Sequence, residues 1–293
     1  MYVPDVELHQ VTTLDEAASL MARHAPDARL LAGGTDLLVD LKTGRVAVGH
    51  LVSLNRIDEL RGIANTEAGL RIGALTTITE LGDSTVVREG FAPILDAAMQ
   101  MAARQIRNMA TVGGNVSCAV PCADLPPILT AMRAGVQLWS PGGEREVALE
   151  GFYTGPRQTI RRDDEVLTAV VVPGPLRGFG AAYARFAQRD GNAIAVAGVA
   201  ASLRLDERGV VKEARVVLNA VAPTAKLVPQ AAQVLVGGPP DEDAFGAAAT
   251  AARDAAEPIT DARGSADFRR DLVEVLTRRA LRGALGRATE VTA

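Results

Sequence analysis

Residues able to do chemistry concentrate in two short stretches. Ala110-Thr111-Val112-Gly113-Gly114-Asn115 runs on to Pro121, Cys122, Ala123 and Asp124, and Ala32-Gly33-Gly34-Thr35-Asp36 stands earlier, after the apolar Leu30 and Leu31. Paired glycines free the backbone for left-handed conformations, so consecutive N–H groups can converge on one anion with no Cβ in the way. One Gly-Gly-polar stretch is first of all a turn. Two of them suit a ligand with linked phosphates, gripped from opposite sides, and a dinucleotide is the natural candidate.

Other reactive side chains are sparse. Cys118 and Cys122 are the only cysteines, spaced C-x₃-C around Pro121. A zinc or iron–sulfur site asks for about four ligands. No histidine lies near this pair in sequence, so the chain is expected to hold no cluster of its own. In a reducing compartment a disulfide is disfavoured, which leaves two small residues beside a packed loop. His9, His24 and His50 lack the i, i+4 spacing of a metal pair and are expected to be separate surface or internally satisfied side chains. Neither a nucleophile nor an acid–base pair stands out.

With 293 residues and 48% hydrophobic content the chain can bury more than one core. A net charge of −4 with interspersed Arg and Glu leaves no basic footprint for nucleic acid. No apolar run approaches the ~20 residues of a membrane helix, and the N-terminus lacks the pattern of a signal peptide. A cytoplasmic location is the expectation.

The elements that must position the glycine stretches follow from periodicity. Thr13 and Glu16 predict a capping box for a helix reaching His24. Arg29 to Ala32 and His50 to Leu54 read as strands around a short helix from Leu37, which makes a unit over 1–55. Leu70 to Ala74 reads as a strand, and Thr77 with Glu80 as a second capping box. From Phe91 to Ile106 the apolar residues fall on one helical stripe, predicting a single helix into the second stretch. An apolar segment follows Asp124. Pro141-Gly142-Gly143 predicts a hairpin, and Glu165 to Val172 a strand stopped by Pro173-Gly174-Pro175. That stop closes a second unit, 56–173. Beyond it, Gly180 to Gln188, Ala193 to Leu205 and Val211 to Val221 predict a three-stranded antiparallel meander, followed by helices from Asp243 and Ala266 in a unit over 176–293. Arg269, Arg270, Arg278 and Arg279 read as solvating residues on a helix, with a docking face as the alternative.

Several of these stretches, taken together, resemble one family. Leu30 to Asp36, Ile72-Gly73-Ala74, Ile106 to Asn115 and Ala123 to Pro127 are similar to the FAD-binding medium subunits of the molybdenum hydroxylases, the group of xanthine dehydrogenase and carbon monoxide dehydrogenase. Tyr183-Ala184-Arg185-Phe186, Asp190 to Ala195, and Phe268 to Arg270 before Leu276 to Leu281 extend the resemblance over essentially the whole chain. It implies an α+β fold: a two-subdomain FAD-binding fold of the vanillyl-alcohol oxidase type, then a C-terminal domain of three-stranded sheet and helices. It also implies non-covalent FAD, with its pyrophosphate wrapped by Leu31, Ala32, Gly33, Gly34, Thr35 and Asp36 and by Ala110, Thr111, Gly113, Gly114 and Asn115. Thr35 and Thr111 would supply hydroxyls, Asp124 would meet the sugar portion, and Leu167 would pack near the cofactor. Arg185 stands where the family often has a lysine beside the flavin; it keeps the positive charge with a different geometry. Asn192 stands where an aspartate is common.

The function implied is electron relay, with no catalytic residue in the chain itself. Electrons would come from 2Fe–2S clusters on a small iron–sulfur subunit and leave to NAD or a quinone. Molybdopterin would sit on a large subunit, in a dimer of heterotrimers. The alternatives are a self-contained FAD oxidase or dehydrogenase of the same fold, and a nucleotide-binding scaffold without redox turnover.

Overall fold

In the computed structural model, which describes residues 5–174 and 176–290, the chain begins with a parallel three-stranded sheet. Its order is β1 (Glu7–Gln10), β3 (His50–Ser53), β2 (Ala28–Leu31). Parallel neighbours need crossovers, and α1 (Leu14–His24) and α2 (Leu37–Lys42) lie in them. Leu14, Ala17, Ala18 and Met21 are the buried stripe of α1, and most of it packs in one cluster with Val11, Ala28, Val52 and Leu54. The Thr13 hydroxyl accepts from the Glu16 N–H at 3.2 Å, as the spacing predicts. The Glu16 carboxylate, however, takes the N–H of Thr12 at 2.8 Å, so the reciprocal bond is displaced by one residue.

A five-stranded antiparallel sheet follows, in the order β4 (Ile63–Thr66), β5 (Gly69–Gly73), β10 (Val166–Val172), β6 (Gly135–Ser140), β7 (Gly143–Ala148). β10 is buried along all 7 residues, as expected of a continuous apolar run in a central strand. The small hairpin of β8 (Tyr153–Gly155) and β9 (Gln158–Thr159) stands apart. Helices α3 (Ile78–Asp83), α4 (Thr85–Gly90) and α5 (Pro93–Ala98) contribute Ile78, Leu81, Val87 and Ile94 to the core over this sheet. Thr77 and Glu80 form a complete capping box on α3. The single helix expected from Phe91 to Ile106 is broken into α5 and α6 (Arg104–Arg107). Ala102 turns into the left-handed region at φ 44°, and the Arg107 guanidinium satisfies the freed carbonyls of Met101 (2.7 Å) and Ala102 (3.3 Å). Apolar periodicity survives the break, but Ile106 ends exposed.

The C-terminal sheet has four strands, where three were expected: β11 (Phe179–Ala187), β12 (Ala195–Leu205), β13 (Val211–Asn219) and β14 (Lys226–Leu227). The fourth is 2 residues long, too short to show a period of two in sequence. Side chains alternate between its faces. Ala181, Tyr183, Ala200 and Val217 face the core of the five-stranded sheet. Ala197, Val199, Ala201, Val216 and Leu218 face α9 (Pro229–Gln233), α10 (Glu242–Ala255) and α11 (Ala266–Glu290). Among the described residues no helix is long and apolar enough to cross a membrane.

Candidate functional site

The first glycine stretch leaves the C-terminal end of β2. Its base is fixed by the Leu54 N–H on the Leu31 carbonyl (2.9 Å) and by Asn55 Nδ2 on the Ala32 carbonyl (3.2 Å). Gly34 takes φ +70°, a left-handed turn that starts α2, whose Leu38 N–H donates to the Gly34 carbonyl at 3.0 Å. Among the described residues the N–H groups of Gly33, Gly34, Thr35 and Asp36 have no protein acceptor. Neighbouring chain strips water from the Asp36 carboxyl and raises its pKa, with Arg157 opposing the shift. Unengaged N–H groups beside a left-handed glycine are what an anion cradle requires.

The second stretch is built differently. Thr111 caps α7 (Val112–Ser117), its hydroxyl accepting the Gly114 N–H at 3.0 Å. The Val112 N–H donates to the Thr76 carbonyl, the Gly113 N–H to that of Ala74 and the Asn115 N–H to that of Thr111, each at 2.9 Å. Gly113 and Gly114 are therefore helical rather than left-handed, and their N–H groups are already engaged. The expected convergence of free donors is not made here. Gly113 serves close approach instead: a Cβ there would stand 2.6 Å from the Ala74 Cβ. What remains for a ligand is the Thr111 hydroxyl proton and the acceptor Oδ1 of Asn115, whose Nδ2 donates to Met101 Sδ at 3.7 Å. Asn115 Oδ1 is buried with no hydrogen-bond partner.

The two stretches touch. A Cβ on Gly33 would fall 1.9 Å from the Met109 carbonyl oxygen and 3.2 Å from the Ala110 Cα. One wall thus presents free N–H groups, and the other presents Thr111 and Asn115. Leu38, Ile106 and Met109 leave apolar surface exposed along these segments. A cavity of about 450 Å³ lies elsewhere, between Phe91, Arg133, Arg204 and Arg287.

Asp124 precedes α8 (Leu125–Ala131) but makes no side-chain cap. It is buried, and it accepts from the Tyr183 hydroxyl at 2.8 Å and from Arg185 Nη1 at 3.0 Å. Arg185 also donates to the carbonyls of Ala193 and Gln100, so its partner is an internal carboxylate rather than a surface one. Burial pushes the Asp124 carboxyl up, while Arg185 and Tyr183 favour its ionised form. Asn219 Nδ2 donates to the Tyr183 hydroxyl at 2.7 Å and completes the network. Tyr183 and Asn219 were not singled out from sequence as site residues; the available signal was that Tyr183 stands two residues from Arg185 and so shares its strand face. Leu167 is buried in β10. Next to it the Thr168 carbonyl accepts the Ala74 N–H at 2.9 Å, and Ala74 in turn holds Gly113.

Cys118 and Cys122 are free thiols. Burial pushes Cys118 up to about 12 and raises Cys122, so neither is a thiolate at neutral pH. His9, His24 and His50 do not stand apart as expected: the crossover of α1 gathers them into one cluster.

Unengaged glycine N–H groups at the carboxyl end of a small parallel sheet, faced by a second polar turn, fit a nucleotide-binding protein of mixed α and β structure. Residues 4–175 match the family described as the FAD binding domain in molybdopterin dehydrogenase, and residues 182–284 the CO dehydrogenase flavoprotein C-terminal domain. The carbon monoxide dehydrogenase medium chain of Hydrogenophaga pseudoflava is 34% identical, over 98% of this chain and 99% of that one. The xanthine dehydrogenase FAD-binding subunit of Escherichia coli O157:H7 is also 34% identical, over 96% of each. Among solved structures, carbon monoxide dehydrogenase from Hydrogenophaga pseudoflava superposes with a TM-score of 0.94 at 35% identity, covering 98% of this chain and 99% of that one. Quinoline 2-oxidoreductase from Pseudomonas putida 86 gives 0.89 at 30% identity, covering 100% of both. The chain belongs to the family of FAD-binding medium subunits of the molybdenum hydroxylases. It is an oxidoreductase subunit whose cofactor is FAD, and the unengaged donors at Gly33 to Asp36 fit a diphosphate.

Proposed function

We propose that this chain is the electron-relay subunit of a multi-subunit molybdenum hydroxylase, serving between 2Fe–2S clusters on a small partner and an external acceptor, NAD or a quinone. Molybdopterin would reside on a large partner, in a cytoplasmic dimer of heterotrimers. The observation that carries this reading is the row of unengaged N–H groups at Gly33, Gly34, Thr35 and Asp36, set against Met109 and Ala110.

When bound, FAD supplies the redox chemistry. The protein's part is to bind and orient it. Gly33 to Asp36, with the backbone of Leu31 and Ala32, would hold the diphosphate from one side. Ala110, Thr111, Gly113, Gly114 and Asn115 would close the other, now through side chains and close packing more than through free N–H groups. Asp124 has lone pairs left for a sugar hydroxyl after serving Tyr183 and Arg185. Leu167 would give apolar support, and Arg185 a fixed positive charge. In this reading 1–55 and 56–173 are the two flavin-binding subdomains of the vanillyl-alcohol oxidase type, and 176–293 is the C-terminal domain.

Purification of the native assembly with flavin, iron and molybdenum determination tests the proposal. A small cluster-bearing partner and a large molybdopterin-bearing one are expected. A complete, active enzyme free of iron and molybdenum would overturn it.

A further inference from the structure

The chain has 3 histidines in all, and they stand in one place. His9 is on β1, His24 is the last residue of α1, and His50 is the first residue of β3. His9 Nε2 lies 3.1 Å from His50 Nδ1, and the His24 and His50 ring centroids are 3.8 Å apart. One ligand nitrogen from each ring lies within 4.8 Å of the other two, and each residue is half-buried.

The backbone around them is tied together. The Asp27 N–H donates to the His24 carbonyl (2.7 Å), and the Asp27 carbonyl accepts the His50 N–H (3.1 Å). The Asp27 carboxylate accepts the Gly49 N–H (2.8 Å), and the Gly49 carbonyl accepts the Glu7 N–H (2.8 Å). These bonds fix the end of α1 and the starts of β3 and β1 in one frame, as a preorganised ligand set requires.

The donor chemistry is equally specific. Glu7 Oε1 lies 3.7 Å from His9 Nδ1 and Oε2 lies 3.5 Å from His50 Nδ1. His9 therefore turns Nε2 toward the cluster, with the Glu7 carboxylate on its Nδ1 side at ion-pair distance rather than hydrogen-bond distance.

We propose that His9, His24 and His50 form a binding site for a divalent transition-metal ion, zinc above all, with Glu7 or solvent completing the coordination. Imidazole donors favour zinc, copper or nickel over magnesium and calcium. Around a tetrahedral zinc with Zn–N near 2.0–2.1 Å the ligand nitrogens stand roughly 3.3 Å apart, which side-chain rotation reaches from the present separations. The cluster gathers at the start of β3, whereas the Gly33 turn leaves the far end of β2, roughly 10 Å away along the sheet. The ion would thus staple β1, α1 and β3 without entering the flavin cleft.

The test uses full-length, tag-free, FAD-loaded protein, stripped with chelator and titrated with Zn²⁺ alone. Calorimetry and elemental analysis after desalting should give about one ion per chain, with a raised thermal midpoint and an unchanged flavin spectrum. His9→Asn, His24→Asn and His50→Asn should each weaken binding by more than the roughly 10–100-fold that loss of an outer partner costs, while circular dichroism stays native. Independently of any variant, Co²⁺-loaded wild type should show hyperfine-shifted imidazole resonances from the histidines. Absence of Zn²⁺ uptake, uptake indifferent to all three substitutions, or unshifted imidazole signals would overturn the proposal.

Discussion

Gly33 is packed backbone to backbone against Met109: a Cβ on the glycine would stand 1.9 Å from the Met109 carbonyl oxygen. Rotation of a side chain cannot relieve a clash with a main-chain atom, so Gly33→Ala must push the two stretches apart. Overpacking of this kind costs about 1–3 kcal/mol. The same separation spoils the cradle, so the variant should lose FAD on desalting, read as lost flavin absorbance, with a lower urea midpoint. Full flavin occupancy in a variant of native stability would show that the two walls need not touch.

Gly113 and Gly114 are neighbours with different reasons to be glycine. A Cβ on Gly113 meets Ala74 at its Cβ (2.6 Å) and carbonyl oxygen (2.8 Å), whereas one on Gly114 meets only the Thr111 hydroxyl at 2.8 Å. Gly113→Ala should therefore cost about 1–3 kcal/mol. Gly114→Ala loses part of a cap bond worth about 1 kcal/mol and regains a similar amount in helix propensity, so it should stay near wild type. Chemical denaturation of both variants checks this, and equal losses would contradict it.

Much of the frame is legible in sequence because periodicity and turn chemistry are local. Thr77 with Glu80, the run of β10 and the hairpin around Pro141-Gly142-Gly143 announce themselves in a few residues. The misses have causes that no residue pattern shows. The break at Ala102 keeps the apolar stripe, and the carbonyls it frees are met by the Arg107 guanidinium from the next turn of chain. Arg269 reads as a solvated helix residue but is buried, bound to the carbonyls of Val196 and Ala220 and to Asp261. His9, His24 and His50 are far apart in sequence and meet only through a parallel crossover. At the candidate site, the glycines were found from residue type alone. Which of their N–H groups stay free depended on Thr76 and Ala74, which no spacing reveals.

Arg185 holds Asp124, Ala193 and Gln100 with one guanidinium. Lysine brings a single ammonium and no fork, so Arg185→Lys should lose the weaker carbonyl bonds and about 1–2 kcal/mol. Arg185→Ala leaves Asp124 buried with only the Tyr183 hydroxyl and should cost about 3 kcal/mol, because an uncompensated carboxylate is then enclosed. Urea midpoints at pH 7 separate the two. An alanine variant no worse than the lysine one would mean that Asp124 is already protonated in the native protein.

Asp261 offers a test that reads pH directly. The Arg263 guanidinium and backbone N–H, with Arg269 as a further donor, hold its carboxyl far below the usual carboxylate range. Arg269 Nη2 lies 2.6 Å from Oδ1, and Arg263 Nη2 lies 2.7 Å from Oδ2. A carboxyl with a depressed native pKa contributes stability that is complete above its unfolded pKa of about 3.9 and is lost as pH falls toward the native value. Asp261→Asn strands the buried Arg269 without its counter-charge, so at pH 7 it should cost about 3 kcal/mol. Below about pH 4 the unfolded chain takes up a proton at Asp261 that the native carboxylate does not, so the gap between the two proteins should narrow as acid is added. Urea denaturation of both proteins from pH 7 to pH 3 measures that gap, and a difference that stays constant would mean that Asp261 titrates alike in the folded and unfolded chains.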